Sequence, residues 1–256
     1  MNKSLNKTKV YLDNNVIVDF ENSEIDSHFL TANADIFECY YSDAHIEELI
    51  EGEHIPKLSV EQRINILTGL VKNNHILNGS NTPEFNSAFP RERYELLHTP
   101  VATINRLLIN ATTSSYRPNR EKILEILRFN SIEINNIPPS TIINEINQRL
   151  LSAECPYERI SIRDFLIHSE AEGRSVFITL FNLLDAACFH KDKKGAHVNI
   201  ARMQDASHAY YAQLCDIFVS NDMKMRYKTS AVYSYLGIKT QVLTPKEFQE
   251  FLEKHI

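Results

Sequence analysis

Four acids in this chain share a setting that suits chemistry. Asp13 follows the short apolar run Val10-Tyr11-Leu12, and Asp222 follows Ile217-Phe218-Val219-Ser220. Glu48 falls about two turns into a helical segment that Ser42 opens, and Asp205 lies near the start of another. Taken singly, each has an ordinary explanation as a cap or a solvated surface charge. Taken together they form a pattern. In a parallel sheet, ligands bind beyond the carboxyl ends of the strands, where strand order reverses. If the strands of Asp13 and Asp222 are neighbours there, their carboxylates converge, with Glu48 and Asp205 reaching in from flanking helices. Four clustered carboxylates repel one another unless a cation neutralises them. Hard oxygen donors suit Mg²⁺ or Mn²⁺. A metal held in this way lowers the pKa of water and offsets charge developing on a phosphate. That is the chemistry of phosphodiester hydrolysis, and it needs no protein nucleophile.

Neighbouring residues sort by position. Asn15 and Ser220 stand next to Asp13 and Asp222, where they would orient a carboxylate or serve simple turn chemistry. Lys224, Arg226 and Lys228 follow Asp222 and are candidates for holding phosphates, as is the cluster Lys191, Lys193, Lys194. His208 shares a helix face with Asp205 at i+3. Substrate contact is one role for it, and a packed or solvated role is the simpler one. Glu47 points about 100° away from Glu48 on a helix, which gives Glu48 the better claim. Asp216 begins the strand that Asp222 ends and belongs at the opposite sheet end. Asp19 and Asp43 read as capping or solvated residues.

These acids need a frame that places them. Residues 10–12 and 36–41 are β-like runs, each followed by a helical segment, and such alternation predicts a parallel sheet. Alternation resumes near Arg202 with a helix, the strand before Asp222, a helix over 223–236 and a last strand over 238–243. Gly237 is a stop signal, and Thr244-Pro245 opens the terminal helix with an N-cap and a first-position proline. Between these parts, apolar spacing predicts helices over 59–77, 91–109, 120–129, 140–151, 161–170 and 175–189. Breaks fall at Pro118 and at Pro138-Pro139. The expected organisation is a core part over 1–55, a mostly helical insert over 56–200 and a second core part over 201–256.

Composition narrows the class. The chain has 256 residues, 43% hydrophobic and 23% charged, with only six glycines and nine prolines. That argues against a loop-rich β protein or a low-complexity chain. No apolar run approaches a membrane span. Cys39, Cys155, Cys188 and Cys215 are scattered, without a CxxC pair, so neither a zinc ribbon nor a disulfide framework is indicated. A reduced, cytoplasmic protein is the expectation. The net charge of −6 hides an asymmetry, since residues 10–56 hold no Lys or Arg at all. An acidic segment concentrates cations while a basic remainder suits a polyanion, although a solvated acidic face has the same signature.

The four acid-bearing segments together resemble the PIN-domain nucleases. "YLDNNVIVDF" is similar to that family's first motif, a strand ending in Asp with Asn two residues on, here Asp13 and Asn15. "YYSDAHIEEL" resembles the second, with Glu48 directly before Leu, and "QDASHAYYAQLCDIFVSND" the third and fourth, with Asp205 and Asp222. The resemblance covers residues 9–52 and 202–252. It implies a three-layer α/β/α fold with a central parallel sheet, interrupted here by the helical insert. It also implies that Asp13, Glu48, Asp205 and Asp222 hold Mg²⁺ or Mn²⁺ and catalyse cleavage of RNA, or of DNA in some branches. The implied partners are nucleic acid, RNA ahead of DNA, and a regulatory protein or antitoxin. A homo-oligomer is compatible with it, and a membrane is not expected. A non-catalytic scaffold and a structure-specific DNA nuclease are the alternatives. The RxxxxH spacings at Arg93/His98 and Arg163/His168 match the helical HEPN ribonucleases, a spacing that arises readily by chance.

Overall fold

The protein is described from a computed structural model covering residues 7–22, 35–52, 58–100, 120–130, 133–152, 161–192 and 198–254. Strand β1 (Thr8–Leu12) ends at Asp13, whose extended backbone and carboxylate cap α1 (Asn14–Glu21). Strand β2 (Phe37–Ser42) turns at once into α2 (Asp43–Glu51). Helix α3 (Val60–Val71) leads to β3 (Asn74–Asn78), β4 (Pro83–Ser87) and α4 (Pro90–Leu97). The helices α5 (Arg120–Leu127), α6 (Pro139–Ser152), α7 (Ile162–His168) and α8 (Arg174–Ala186) follow. Last come α9 (Val198–Ala212), β5 (Ile217–Val219), α10 (Met223–Leu236), β6 (Gln241–Leu243) and α11 (Pro245–Glu253).

The six strands form one sheet in the order β4-β3-β2-β1-β5-β6, parallel except for the β3–β4 hairpin. Alternation along the strands gives each face its own core. Val10, Leu12, Cys39, Tyr41, Ile217 and Val219 face one way, onto Val16 and Ile17 of α1, Leu67 of α3 and Phe248 of α11. Tyr11, Tyr40, Ile76 and Phe218 face the other way. They share a core with Leu127, Ile142, Ile146, Phe181 and Leu184 from α5, α6 and α8, and with Ala209 and Val232 from α9 and α10. The fold is therefore three layers, α/β/α. The helical middle is no appendage, because α5, α6 and α8 form one of the two outer layers together with α9 and α10.

Two local expectations change. A helix over 59–77 stops at Lys72, whose φ of 56° breaks the ladder, and Asn74–Asn78 becomes a strand. Its residues pair Tyr41 with His75 and Ser42 with Ile76, so the sheet overrides the apparent helical spacing. The central sheet consequently extends beyond the boundary expected at residue 55, taking in β3 and β4. The remaining described part of 56–200 is helical apart from its connections. Of the helix expected over 91–109, Pro90–Leu97 is formed and residues 101–109 lie outside the described residues. The break at Pro118 also lies outside them.

The C-terminal elements follow their local signals closely. Gly237, at φ 72°, closes α10 in the left-handed conformation that a residue without Cβ adopts freely. Thr244 and Glu247 cap α11 reciprocally, each side chain accepting the other's backbone N–H at 3.1 and 2.7 Å. Among the described residues, no helix is long and apolar enough to cross a membrane.

Candidate acidic active site

The chain runs outward from β1 through β2 to β3, then crosses back to β5 and β6. Strand order thus reverses between β1 and β5, which are direct neighbours. A cleft beyond the carboxyl ends of these strands is where α/β sheets bind ligands.

Asp13 stands at that point and is only 6% exposed. Its Oδ1 accepts the Asn14 backbone N–H at 2.9 Å. Its Oδ2 accepts both Asn15 Nδ2 at 2.6 Å and Ser220 Oγ at 2.7 Å. Asn15 also donates to Ser220 Oγ at 3.2 Å and accepts the Asn221 N–H at 3.0 Å. Asn15 and Ser220 therefore orient the Asp13 carboxylate and tie the ends of β1 and β5 together. Burial raises the pKa of Asp13, and the charge of Glu48 raises it further, against the imidazole of His208 and the Ser220 hydrogen bond.

Asp205, on α9, keeps partial contact with solvent, yet its pKa is raised well above the ordinary range. Desolvation is the main cause. The charges of Asp13, Asp192 and Glu48 add to it, and Lys228 opposes it. Glu48, on α2, accepts from His208 Nε2 at 3.1 Å. Asp13, Glu48 and Asp205 thus lie within electrostatic reach of one another. Among the described residues, no group of three or more His, Cys, Asp or Glu side chains stands at the spacing of a metal-ligand set.

Asp222 is placed differently. It is exposed, and its Oδ1 accepts the N–H groups of Lys224 and Met225 at 2.6 and 3.1 Å as the N-cap of α10. Its own N–H donates to Ser220 Oγ at 3.1 Å. It borders the site through Ser220, at the rim, while the other three acids lie inward.

His208 is not open to substrate. It is 1% exposed and bonded at both nitrogens, to Glu48 and, at 2.9 Å through Nδ1, to the Tyr11 hydroxyl. Burial alone would lower its pKa. Glu48, through charge and hydrogen bond, and then Asp13 and Asp205 outweigh burial and bring it up to about 9. It is an imidazolium at neutral pH, the internal cation of an acidic site. His45 lies 4.7 Å away, ring centroid to ring centroid, and behaves oppositely. Its Nδ1 accepts the Ser42 N–H at 3.1 Å, and its Nε2 lies 2.8 Å from the Leu12 carbonyl. That pattern assigns a neutral ring protonated at Nε2. Burial, then the neighbouring His208, lowers its pKa to about 3. Tyr11 joins both histidines and Ser42 Oγ, the latter at 2.6 Å. This Tyr11–Ser42–His45 support escapes sequence reasoning, which reads Tyr11 as strand core and Ser42 as a cap.

Of the expected phosphate contacts, Lys228 is the one the structure removes. It is fully buried, with Nζ 2.9 Å from Asp192 and 4.0 Å from Asp185. Arg226 donates to the Ser220 carbonyl at 2.9 Å. Lys224 is partly exposed beside Asp222, and Lys191 is exposed, whereas Lys193 and Lys194 lie outside the described residues. Asp216 accepts the Lys9 N–H at 2.8 Å at the opposite sheet end, and Asp43 is paired with Arg93 and His75. The Asp43 pair occupies Arg93 of the RxxxxH spacing with a structural partner.

Comparison with protein-family models, with curated proteins and with solved structures finds no match for this chain. The site's own geometry therefore carries the functional argument.

Proposed function

We propose that the protein is a divalent-metal-dependent nuclease hydrolysing phosphodiester bonds, with RNA favoured over DNA. The observation that carries this reading is the gathering of Asp13, Glu48 and Asp205 where strand order reverses. There, burial and mutual repulsion raise the pKa of two of them. The similarity of the four acid-bearing segments to PIN-domain nucleases supports it.

The donor set fits Mg²⁺ or Mn²⁺ in type, since every carboxylate is a hard oxygen ligand and the local charge is under-neutralised. Asp13, Glu48 and Asp205 would hold the ion, with Asp222 acting from the rim. When bound, the ion supplies a Lewis acid that activates water and offsets charge on the phosphate. The chain's own work is positioning. Asn15 and Ser220 fix Asp13, and His208 fixes Glu48 and limits the repulsion among the acids. A cytoplasmic setting, a toxin or defence role and a regulatory partner or antitoxin belong to the same reading.

The His208–Glu48 ion pair favours a second reading, a non-catalytic scaffold whose acids are already partly neutralised from within. Cleavage of labelled single-stranded RNA and DNA in Mn²⁺, comparing wild type with Asp13→Asn and Asp205→Asn, separates the two. Cleavage by the wild type alone is expected, with RNA cut faster. Undiminished cleavage in chelator, or by Asp13→Asn, sinks the metal reading. A folded, metal-binding protein that cuts neither polymer supports the scaffold.

A further inference from the structure

Beside the acidic site, α10 carries an exposed aromatic surface at Tyr227. Tyr227 is 38% exposed. His190 stacks on it, with ring centroids 4.1 Å apart and planes 25° from parallel. One face of Tyr227 is thereby covered, so its exposure belongs to the other face and the edges.

His190 is held firmly. Phe189 meets it edge-on at 4.6 Å, and its backbone N–H donates to Asn135 Oδ1 at 2.7 Å. Its φ of 43° is uncommon for a residue with a Cβ. Its Nε2 is buried and has no hydrogen-bond partner among the described residues. Burial lowers its pKa, and the charges of Lys228 and Lys224 lower it further, which favours a neutral imidazole against Tyr227.

Cationic groups border the stack. Lys224 lies one turn before Tyr227 on the same helix face, and exposed Lys191 directly follows His190. Tyr227 is five residues beyond Asp222, about 8 Å along the helix axis. Behind it, buried Lys228 pairs with Asp192 and acts electrostatically on Asp205.

We propose that Tyr227, backed by His190 and flanked by Lys224, is a base-stacking platform for single-stranded nucleic acid entering the acidic site. Proteins that hold single strands without sequence preference combine exposed aromatic rings with lysines along the backbone path. A duplex offers no free base face to such a ring, so the platform selects single strands. The inference rests on the nucleic-acid reading of the site and names its substrate class.

The test is binding, measured without divalent metal so that no cleavage intervenes. Fluorescence anisotropy would follow an oligouridine of about ten nucleotides, within the usual span of single-strand sites. The same backbone carrying abasic sugars, and a duplex of equal length, would be compared. Wild type should prefer the base-bearing single strand over both. Tyr227→Ala should weaken that binding by roughly 5- to 100-fold, and Tyr227→Phe should restore it to within about twofold. Lys224→Ala should instead reduce the salt slope by about one, a change absent in Tyr227→Ala. Equal binding of base-bearing and abasic strands, wild-type affinity in Tyr227→Ala, or no binding at all overturns the platform. Binding as expected without Mn²⁺-dependent cleavage overturns the hydrolysis reading alone.

Discussion

Two ionic clusters lie side by side in this protein and are balanced in opposite senses. In the acidic site, among the described residues, His208 pairs with Glu48 and acts on Asp13, and Lys228 acts on Asp205 from the neighbouring network. In the neighbouring network, the cations are in excess. Asp185 is fully buried and paired with Arg120 and Arg202, while Asp192 joins Arg202 to Lys228. Burial acts on Asp13, Asp205 and Asp185 alike, pushing each pKa up. Only in Asp185 does the Arg120 hydrogen bond, aided by the Asp192 N–H and the Arg202 and Lys228 charges, win and hold the carboxyl below its ordinary range. Burial by itself therefore does not set the direction in which a carboxyl's pKa moves. Charge balance does. A satisfied cluster fastens helices together, whereas in the under-neutralised one Asp13 and Asp205 are pushed toward their protonated forms.

The largest test of that contrast is Asp185→Ala. It leaves Arg120, Arg202 and Lys228 with one acid between them in a buried setting, and should cost about 3–5 kcal/mol. Urea unfolding would measure it, and a loss below about 1 kcal/mol would mean that the network is not a structural fastener.

Next in size is the pH dependence of the two buried histidines. His208 has a folded pKa of about 9, above its ordinary value of 6.5. Its contribution, about 3 kcal/mol, is complete below pH 6.5 and is lost as pH rises through 9. His45 has a folded pKa of about 3. Its contribution is present above pH 6.5 and is lost as pH falls toward 3. Stability from this pair therefore peaks near pH 6.5. His208→Gln should flatten the alkaline limb alone, and an unchanged limb would remove the imidazolium from the account.

Metal addition sharpens the contrast from the other side. Mn²⁺ at a hundredfold excess over its Kd should stabilise the wild type by about 2.7 kcal/mol, and Glu48→Gln should lose most of that gain. A thermal shift equal in both proteins would place the metal elsewhere.

The smallest effect is expected for Asp205→Asn without metal. It removes a like charge from Asp13 and Glu48 and should raise stability by about 0.5–1 kcal/mol, the opposite sign to Asp185→Ala. A marked destabilisation would show that Asp205 is already satisfied within the fold.

What the sequence determined by itself is the local part of this architecture. The apolar run before Asp13, the Gly237 stop and the Thr244-Pro245 start place strand and helix ends through signals spanning a few residues, and the fold realises each of them. The alternation of strand and helix likewise announced a parallel sheet. Tertiary structure decided the rest, because it depends on partners far along the chain. Asn74–Asn78 became a strand through β2 and β4, against its own helical spacing. Lys228 looked like a surface cation until Asp192, 36 residues earlier, drew it inside. His208 became an internal cation because Glu48, 160 residues away, stands beside it. Asp222, the local equal of Asp13, turned outward to cap α10, while Asp13 was held inward by Ser220 of a neighbouring strand. Spacing along a chain reports which residues can share a helix face or end a strand. Burial and charge balance, which decide what a carboxylate or an imidazole can do, arise only when distant segments meet.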